Sequence, residues 1–145
     1  MTRLLPILIP FLCLAAAPAD APRGPAASRF TAVDVMIDPK GQPLAAYQIE
    51  FAAEVGHVSL VGVEAGESPA YAKRPPYYDP AALAGHRIVI GDFSLDADLP
   101  KTRTRVARLM LEIRGDAKPQ YAVKLMTAAN SDGAKIAAEV SLVHK

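Results

Sequence analysis

Cysteine occurs once in 145 residues, tryptophan is absent, and aromatic side chains make up only 6% of the chain. The one cysteine, Cys13, sits in an apolar N-terminal run. Beyond that run there is no thiol, which excludes a disulfide framework, a cysteine metal site and a thiol nucleophile. Neither sign of charge is in excess: 16 Lys and Arg face 15 Asp and Glu, for a net charge of +1. A balanced chain has no broad electrostatic attraction for nucleic acid or an anionic membrane surface. Histidine is also scarce. His57, His86 and His144 offer no His-x-x-x-His spacing for a metal. No Gly-x-Ser-x-Gly elbow occurs, and Ser59, Ser68, Ser94 and Ser131 have no recognisable base beside them. The chain is therefore read as non-catalytic, with no catalytic residue, no metal and no cofactor assigned. The loop carboxylates Asp92, Asp96 and Asp98 are the nearest approach to a calcium site. They lack the alternating ligands, central glycine and late glutamate of a calcium loop, so a solvated acidic loop is expected.

The long apolar run is confined to the N-terminus. Arg3 precedes Leu4–Ala17, and Ala17-Pro18-Ala19 fits a small-x-small cleavage pattern with cutting before Asp20. The run is short for a membrane span. Residues 1–19 are expected to be a cleaved signal peptide, and the alternative is an uncleaved anchor. A lipidated Cys13 is set aside because Pro10-Phe11-Leu12 lacks small residues. The mature protein is then exported, periplasmic or extracellular, with no stable membrane insertion after cleavage. Residues 20–28, rich in proline and alanine, are expected to be a flexible linker. Residues 29–145 should form one domain.

Within that domain the hydrophobic period is two. Thr31, Val33, Val35 and Ile37 share one face of a first strand, and Tyr47, Ile49, Phe51 and Ala53 one face of a second. His57–Gly66 reads as a third strand, apolar on both faces, and Gly85–Phe93 as another. In Thr104–Gly115, Ala107, Leu109, Leu111 and Ile113 point one way while Arg108, Glu112 and Arg114 point the other. Tyr121, Val123 and Leu125 begin a further strand, Asn130–Gly133 makes a hairpin turn, and the last strand carries Ile136, Ala138, Val140 and Leu142. Asp38–Pro43 is turn chemistry. Asp79–Leu83 reads as one helical turn, capped by Asp79 with Pro80 at its first position. The expected fold is all-β, a single antiparallel β-sandwich of about 7–9 strands. Its core should draw on the inward residues of the first, second, fifth and last two strands.

Two stretches invite a binding role. Lys101–Arg108 holds four basic residues; with regular alternation Arg103 and Arg105 share a face and Arg108 takes the other. Such a run can receive an anionic partner, and more often forms a solvated edge that resists strand-to-strand aggregation. The less ordinary stretch is Tyr71–Leu83, with three tyrosines, three prolines and two basic residues. Tyrosine rings stack on the apolar side of a pyranose and are equally suited to protein interfaces. Tyr71, Arg74, Tyr77, Tyr78 and Asp79 are the candidate ligand- or partner-binding residues. The competing expectation is a lid of packed tyrosines that closes the core.

The order of these pieces resembles the cohesin-type sandwich, the extracellular module that holds dockerin domains, and its relatives among bacterial carbohydrate-binding modules. Three stretches carry the resemblance: Val33–Phe51, His86–Ser94 followed by Thr104–Ile113, and the Tyr-Asp-Pro-x-x-Leu element Tyr78–Leu83. In the family that element directly follows the early aromatic strand, and here one strand intervenes. The resemblance implies a cohesin-like, jelly-roll-like sandwich and a protein–protein docking role in the cell envelope or outside the cell. A carbohydrate-binding module using the tyrosines is the alternative, with a structural subunit of an envelope assembly as a third. The implied partner is an exported protein or a polysaccharide.

Overall fold

The computed structural model describes Gly24 and residues Ala27–Lys145. The expected signal peptide, and the linker apart from Gly24, Ala27 and Ser28, lie outside the described residues. Eight strands follow: β1 Ser28–Asp38, β2 Ala46–Val55, β3 His57–Glu64, β4 Tyr77–Tyr78, β5 Arg87–Phe93, β6 Thr104–Arg114, β7 Gln120–Ala129 and β8 Glu139–His144. They form two four-stranded sheets, ordered β3-β6-β1-β8 and β4-β5-β2-β7. Every pairing is antiparallel. The chain is an all-β sandwich, and every connection except β4 to β5 passes from one sheet to the other, in jelly-roll fashion. Among the described residues no helix is long and apolar enough to cross a membrane.

The period of two explains the sandwich. Val33, Val35 and Ile37 from β1 and Leu109, Leu111 and Ile113 from β6 face Ile49 and Phe51 from β2, all fully or almost fully buried. Each such side chain contributes about 1.5–3 kcal/mol through burial. Val123, Leu125, Val140 and Leu142, also expected in the core, are only half-buried because β7 and β8 are edge strands. The core also takes in Leu44, Leu60, Ile88, Ile90, Tyr47 and Tyr71.

Two bulges and the order of the strands overturn three expectations. In β6, the pairing with β1 slips so that Val35 faces Ala107 and Met36 faces Arg105. Val106 is the extra residue, and both Val106 and Ala107 are buried. Arg105 and Arg108 therefore emerge on the same outer face, not on opposite ones. β6 is also flanked by β3 and β1, so this basic run is no edge. In β3 a slip between Leu60 and Gly62 turns Val63 into the core and leaves Val61 exposed, so the strand is apolar on both faces only in composition.

The ends differ as well. Ser28 already belongs to β1. Asn130 makes the expected turn, its Oδ1 accepting from Asp132 N at 3.1 Å and Ala134 N at 2.9 Å. The hairpin stops at one bridge, Ala129 to Lys135; β8 begins at Glu139 in the opposite sheet. Tyr77–Tyr78, expected as loop, pairs with Gly91 and Ile90 and adds the eighth strand. The helical turn is present as a 3₁₀ turn over Pro80–Ala82, with Asp79 Oδ1 accepting from Ala81 N at 2.9 Å.

Candidate docking face

The outer face of the β4-β5-β2-β7 sheet carries the most distinctive surface. In β5, Ile88, Ile90 and Asp92 point inward, leaving Val89, Gly91 and Phe93 outward. Gly91 pairs with Tyr77 on one side and Gln48 on the other. Gly91 floors a shallow groove of about 470 Å³, flanked by Tyr77, Val89, Phe93 and Gln48. A side chain at Gly91 would partly fill it, its Cβ only 3.1 Å from the Tyr47 carbonyl oxygen. Tyr77 is 59% exposed, Phe93 54% and the neighbouring Leu95 92%. The Tyr77 and Phe93 rings are nearly parallel, 15° apart, with centroids 6.4 Å from one another.

This surface is locked from behind. Asp92 is buried at the inner end of β5, and its carboxylate accepts from Arg74 Nη2 at 2.7 Å and Phe93 N at 2.8 Å. Arg74, so anchored, lays its guanidinium 4.1 Å from the centre of the Tyr77 ring. Pro75 and Pro76 stiffen the two-residue link between Arg74 and Tyr77. The ring is thus presented in one orientation with one face already occupied.

The five candidate residues separate into different roles. Arg74 and Tyr77 meet on the exposed face. Tyr71 does not: it is 2% exposed, its hydroxyl donates to the Leu44 carbonyl at 2.7 Å, and its ring meets Tyr47 edge-on at 5.3 Å. Tyr47 in turn donates to the Val106 carbonyl at 3.1 Å. Burial pushes both phenols well above their ordinary pKa, so both stay protonated. Tyr71 is therefore core and not a ligand contact. Tyr78 is half-buried against the core, and Asp79 is occupied as a cap. The Tyr71–Leu83 stretch is a lid and a surface at once, divided residue by residue.

The lid is fastened onto the β6 bulge. Glu67 N donates to the Arg105 carbonyl at 3.0 Å, the Glu67 carboxylate accepts from Arg105 N at 2.8 Å, and Gly66 N donates to the Tyr71 carbonyl at 2.9 Å. A Cβ on Gly66 would lie 2.7 Å from the Arg105 oxygen and 3.0 Å from the Tyr71 Cβ. Gly66→Ala is expected to cost about 1–3 kcal/mol by overpacking, read as a lower melting temperature. An unchanged melt would show that the lid shifts freely on β6.

The acidic loop is taken up internally. Asp92 holds Arg74, and Asp96 pairs with Lys73 at 2.8 Å, whose hydrogen bond keeps that carboxyl below its ordinary pKa. Asp98 is exposed. Among the described residues no group of three His, Cys, Asp or Glu side chains stands ready for a metal ion. On the opposite sheet Asp34, 5% exposed, accepts from Arg108 Nε at 2.6 Å and Nη2 at 3.2 Å, with Arg105 and Lys145 within 4 Å.

Phe93, Val89, Gly91, Gln48 and Leu95 were not among the candidates. The signal for the β5 residues lay in His86–Phe93: with Ile88 and Ile90 inward, Val89 and Phe93 must face out. No family model, no curated protein and no solved structure matches the chain.

Proposed function

We propose that this chain is an exported, non-catalytic, cohesin-like module that docks another exported protein through the Tyr77–Phe93–Leu95 face. The observation that carries this reading is the locked aromatic surface: exposed Tyr77 and Phe93 held in place by the Arg74–Asp92 pair, with the exposed Leu95 two residues beyond Phe93. An exposed apolar cluster of aromatics with an arginine is the composition of protein hot spots. Little entropy is lost on binding when the anchors are already fixed.

A carbohydrate-binding role is the runner-up, favoured by the near-parallel Tyr77 and Phe93 rings beside the Gly91 groove. It ranks second because Arg74 covers one face of Tyr77 and Asp92 is spent on Arg74, so the groove offers a sugar no free charged side chain. A subunit role in an envelope assembly ranks third.

The test is a paired capture. Wild-type protein and a Tyr77→Ala/Phe93→Ala variant of matched melting temperature are each immobilised against the exported fraction. They are also run on a polysaccharide panel. One protein retained by wild type, lost by the variant and rebinding when purified supports docking. Polysaccharide binding with the same loss transfers the site to the carbohydrate reading. Retention of the partner by the variant removes this face from the function.

A further inference from the structure

Phe93 borders a second pocket, distinct from the Gly91 groove. It is small, about 170 Å³, and polar. Lys73 and Arg74 line it from the lid, and Asp92, Ser94 and Asp96 from the end of β5 and the loop after it. Water takes about 30 Å³ in the liquid, so the space holds about five waters or one small ring. Its frame is already fixed. Ser94 N donates to the Ala45 carbonyl at 2.8 Å. The loop beyond is tied to the β1–β2 turn, with Leu44 N on the Pro100 carbonyl at 3.0 Å and Gly41 N on the Lys101 carbonyl at 2.9 Å. Little is left to order when a ligand enters.

The polar lining is buried and only partly used. Asp92 and Ser94 are 7% and 8% exposed. Asp92 accepts from Arg74 Nη2 and from Phe93 N, both on Oδ1. Asp96 accepts from Lys73 Nζ on Oδ2, and Ser94 Oγ accepts from Asp96 N at 3.2 Å. Among the described residues no hydrogen bond reaches Asp92 Oδ2 or Asp96 Oδ1, and the Ser94 hydroxyl donates to none. The Lys73 ammonium has donors beyond the one given to Asp96. Unused acceptors and unused donors thus stand side by side in one small space.

We propose that this pocket binds one neutral pyranose ring, its hydroxyls on the polar lining and its C–H side against Phe93 and Leu95. Three features select that ligand together. The lining is charged but balanced, with Lys73 on Asp96 at 2.8 Å and Arg74 on Asp92 at 2.7 Å, so a charged ligand gains only by breaking a pair. A hydroxyl both donates and accepts, so it can take a hydrogen from Lys73 and give its own to Asp92 or Asp96 while both pairs persist. A sugar ring carries several such groups next to one another. Phe93 and Leu95, exposed at the rim, offer the apolar surface that its C–H side covers. A serine or asparagine side chain of a protein partner has the polar group without that apolar face. The pocket shares Phe93 and Leu95 with the docking face, but the proposal needs no protein partner and does not use the Gly91 groove.

The experiment titrates the full chain with methyl glycosides of glucose, galactose, mannose and N-acetylglucosamine into the high millimolar range, read by amide chemical shifts. At least one should saturate, moving the amides of Lys73, Ser94 and Asp96 more than those of Gln48 and Val89. Glucuronate and glucosamine, the charged counterparts, should bind no more tightly. Asp96→Ala should melt like wild type, since its pair with Lys73 is solvent-accessible. It should weaken the sugar about tenfold, the worth of one hydrogen bond to a charged group. Ser94→Ala should also weaken it, and Gln48→Ala, in the Gly91 groove, should change nothing. The proposal is overturned if no glycoside saturates, if a charged analogue is preferred, or if Asp96→Ala binds as well as wild type. It also fails if the shifts centre on Gln48 and Gly91, which would place the sugar in the groove. Equal binding by N-acetylasparagine methylamide would make this a seat for a protein side chain and dismiss the sugar. Sugar binding here beside a failed protein capture would leave this site standing and remove only the docking reading.

Discussion

Tyr71→Ala is expected to lower stability by about 3–5 kcal/mol, the usual cost of deleting a fully buried aromatic ring. Folded domains hold only about 5–15 kcal/mol in total, so this one change removes a large share. The loss combines the ring packed edge-on against Tyr47 with the hydrogen bond to the Leu44 carbonyl. Tyr71→Phe separates the two. It keeps the ring and leaves the buried carbonyl without its donor, for about 1 kcal/mol. Tyr77→Ala, by contrast, should cost less than about 1 kcal/mol, since an exposed ring surrenders only its contact with Arg74 and Phe93. Chemical denaturation of the three variants checks the ordering. If Tyr77→Ala proved as damaging as Tyr71→Ala, Tyr77 would be structural and the docking face would lose its anchor.

The second large effect is at Arg108. Arg108→Met should destabilise the domain by about 2–3 kcal/mol at neutral pH, because it strips the main hydrogen-bond donor from a carboxylate that stays buried. The cost falls short of a fully isolated buried charge because Arg105 and Lys145 remain within 4 Å of Asp34. Arg108→Glu should cost more, by setting two carboxylates against each other. A pH dependence accompanies this. The Arg108 hydrogen bond holds the Asp34 carboxyl below its ordinary pKa of 3.8, against the opposing effect of burial. A carboxyl depressed in the folded state contributes stability above its unfolded pKa and loses it as pH falls through the folded one. Wild-type stability should therefore decline below about pH 4, and the Arg108→Met variant should lack the part of that decline due to Asp34. Urea midpoints at neutral and acidic pH measure it. An Asp34→Asn/Arg108→Met pair near wild-type stability would agree with the rule that buried ion pairs add little net stability although breaking one is costly.

Arg108 also bears on the docking reading. It faces outward and invites charge reversal as a probe of the exposed sheet. Its pairing with Asp34 makes any such reversal a stability change first. Glu112→Lys has a milder liability, since Glu112 accepts its hydrogen bonds from the exposed Arg114. The Tyr77, Phe93 and Leu95 positions are cleaner probes, being exposed and free of buried partners.

The sequence by itself determined the all-β class, most strand positions and the inward faces of β1, β2 and β6. It could do so because a pleated strand sends alternate residues to opposite faces, and one buried face imposes that period on the residues. It also marked the Tyr71–Leu83 stretch and the Asp79 cap, since proline, tyrosine and capping chemistry act locally. Only the tertiary structure decided which tyrosine went where. Tyr71 is buried because Gly66 and Glu67 fasten its loop to a bulge in β6, some 40 residues away along the chain. Tyr77 is exposed because it pairs with Gly91, the one β5 residue with no side chain to cover it. The single extra residue Val106 moved Arg105 to the outer face beside Arg108, and a bulge leaves no mark on a hydrophobic pattern when the inserted residue is itself apolar. Which strands form edges depends on the order of strands across the sheets. That order is fixed by packing between segments distant in sequence, and local periodicity carries no record of it.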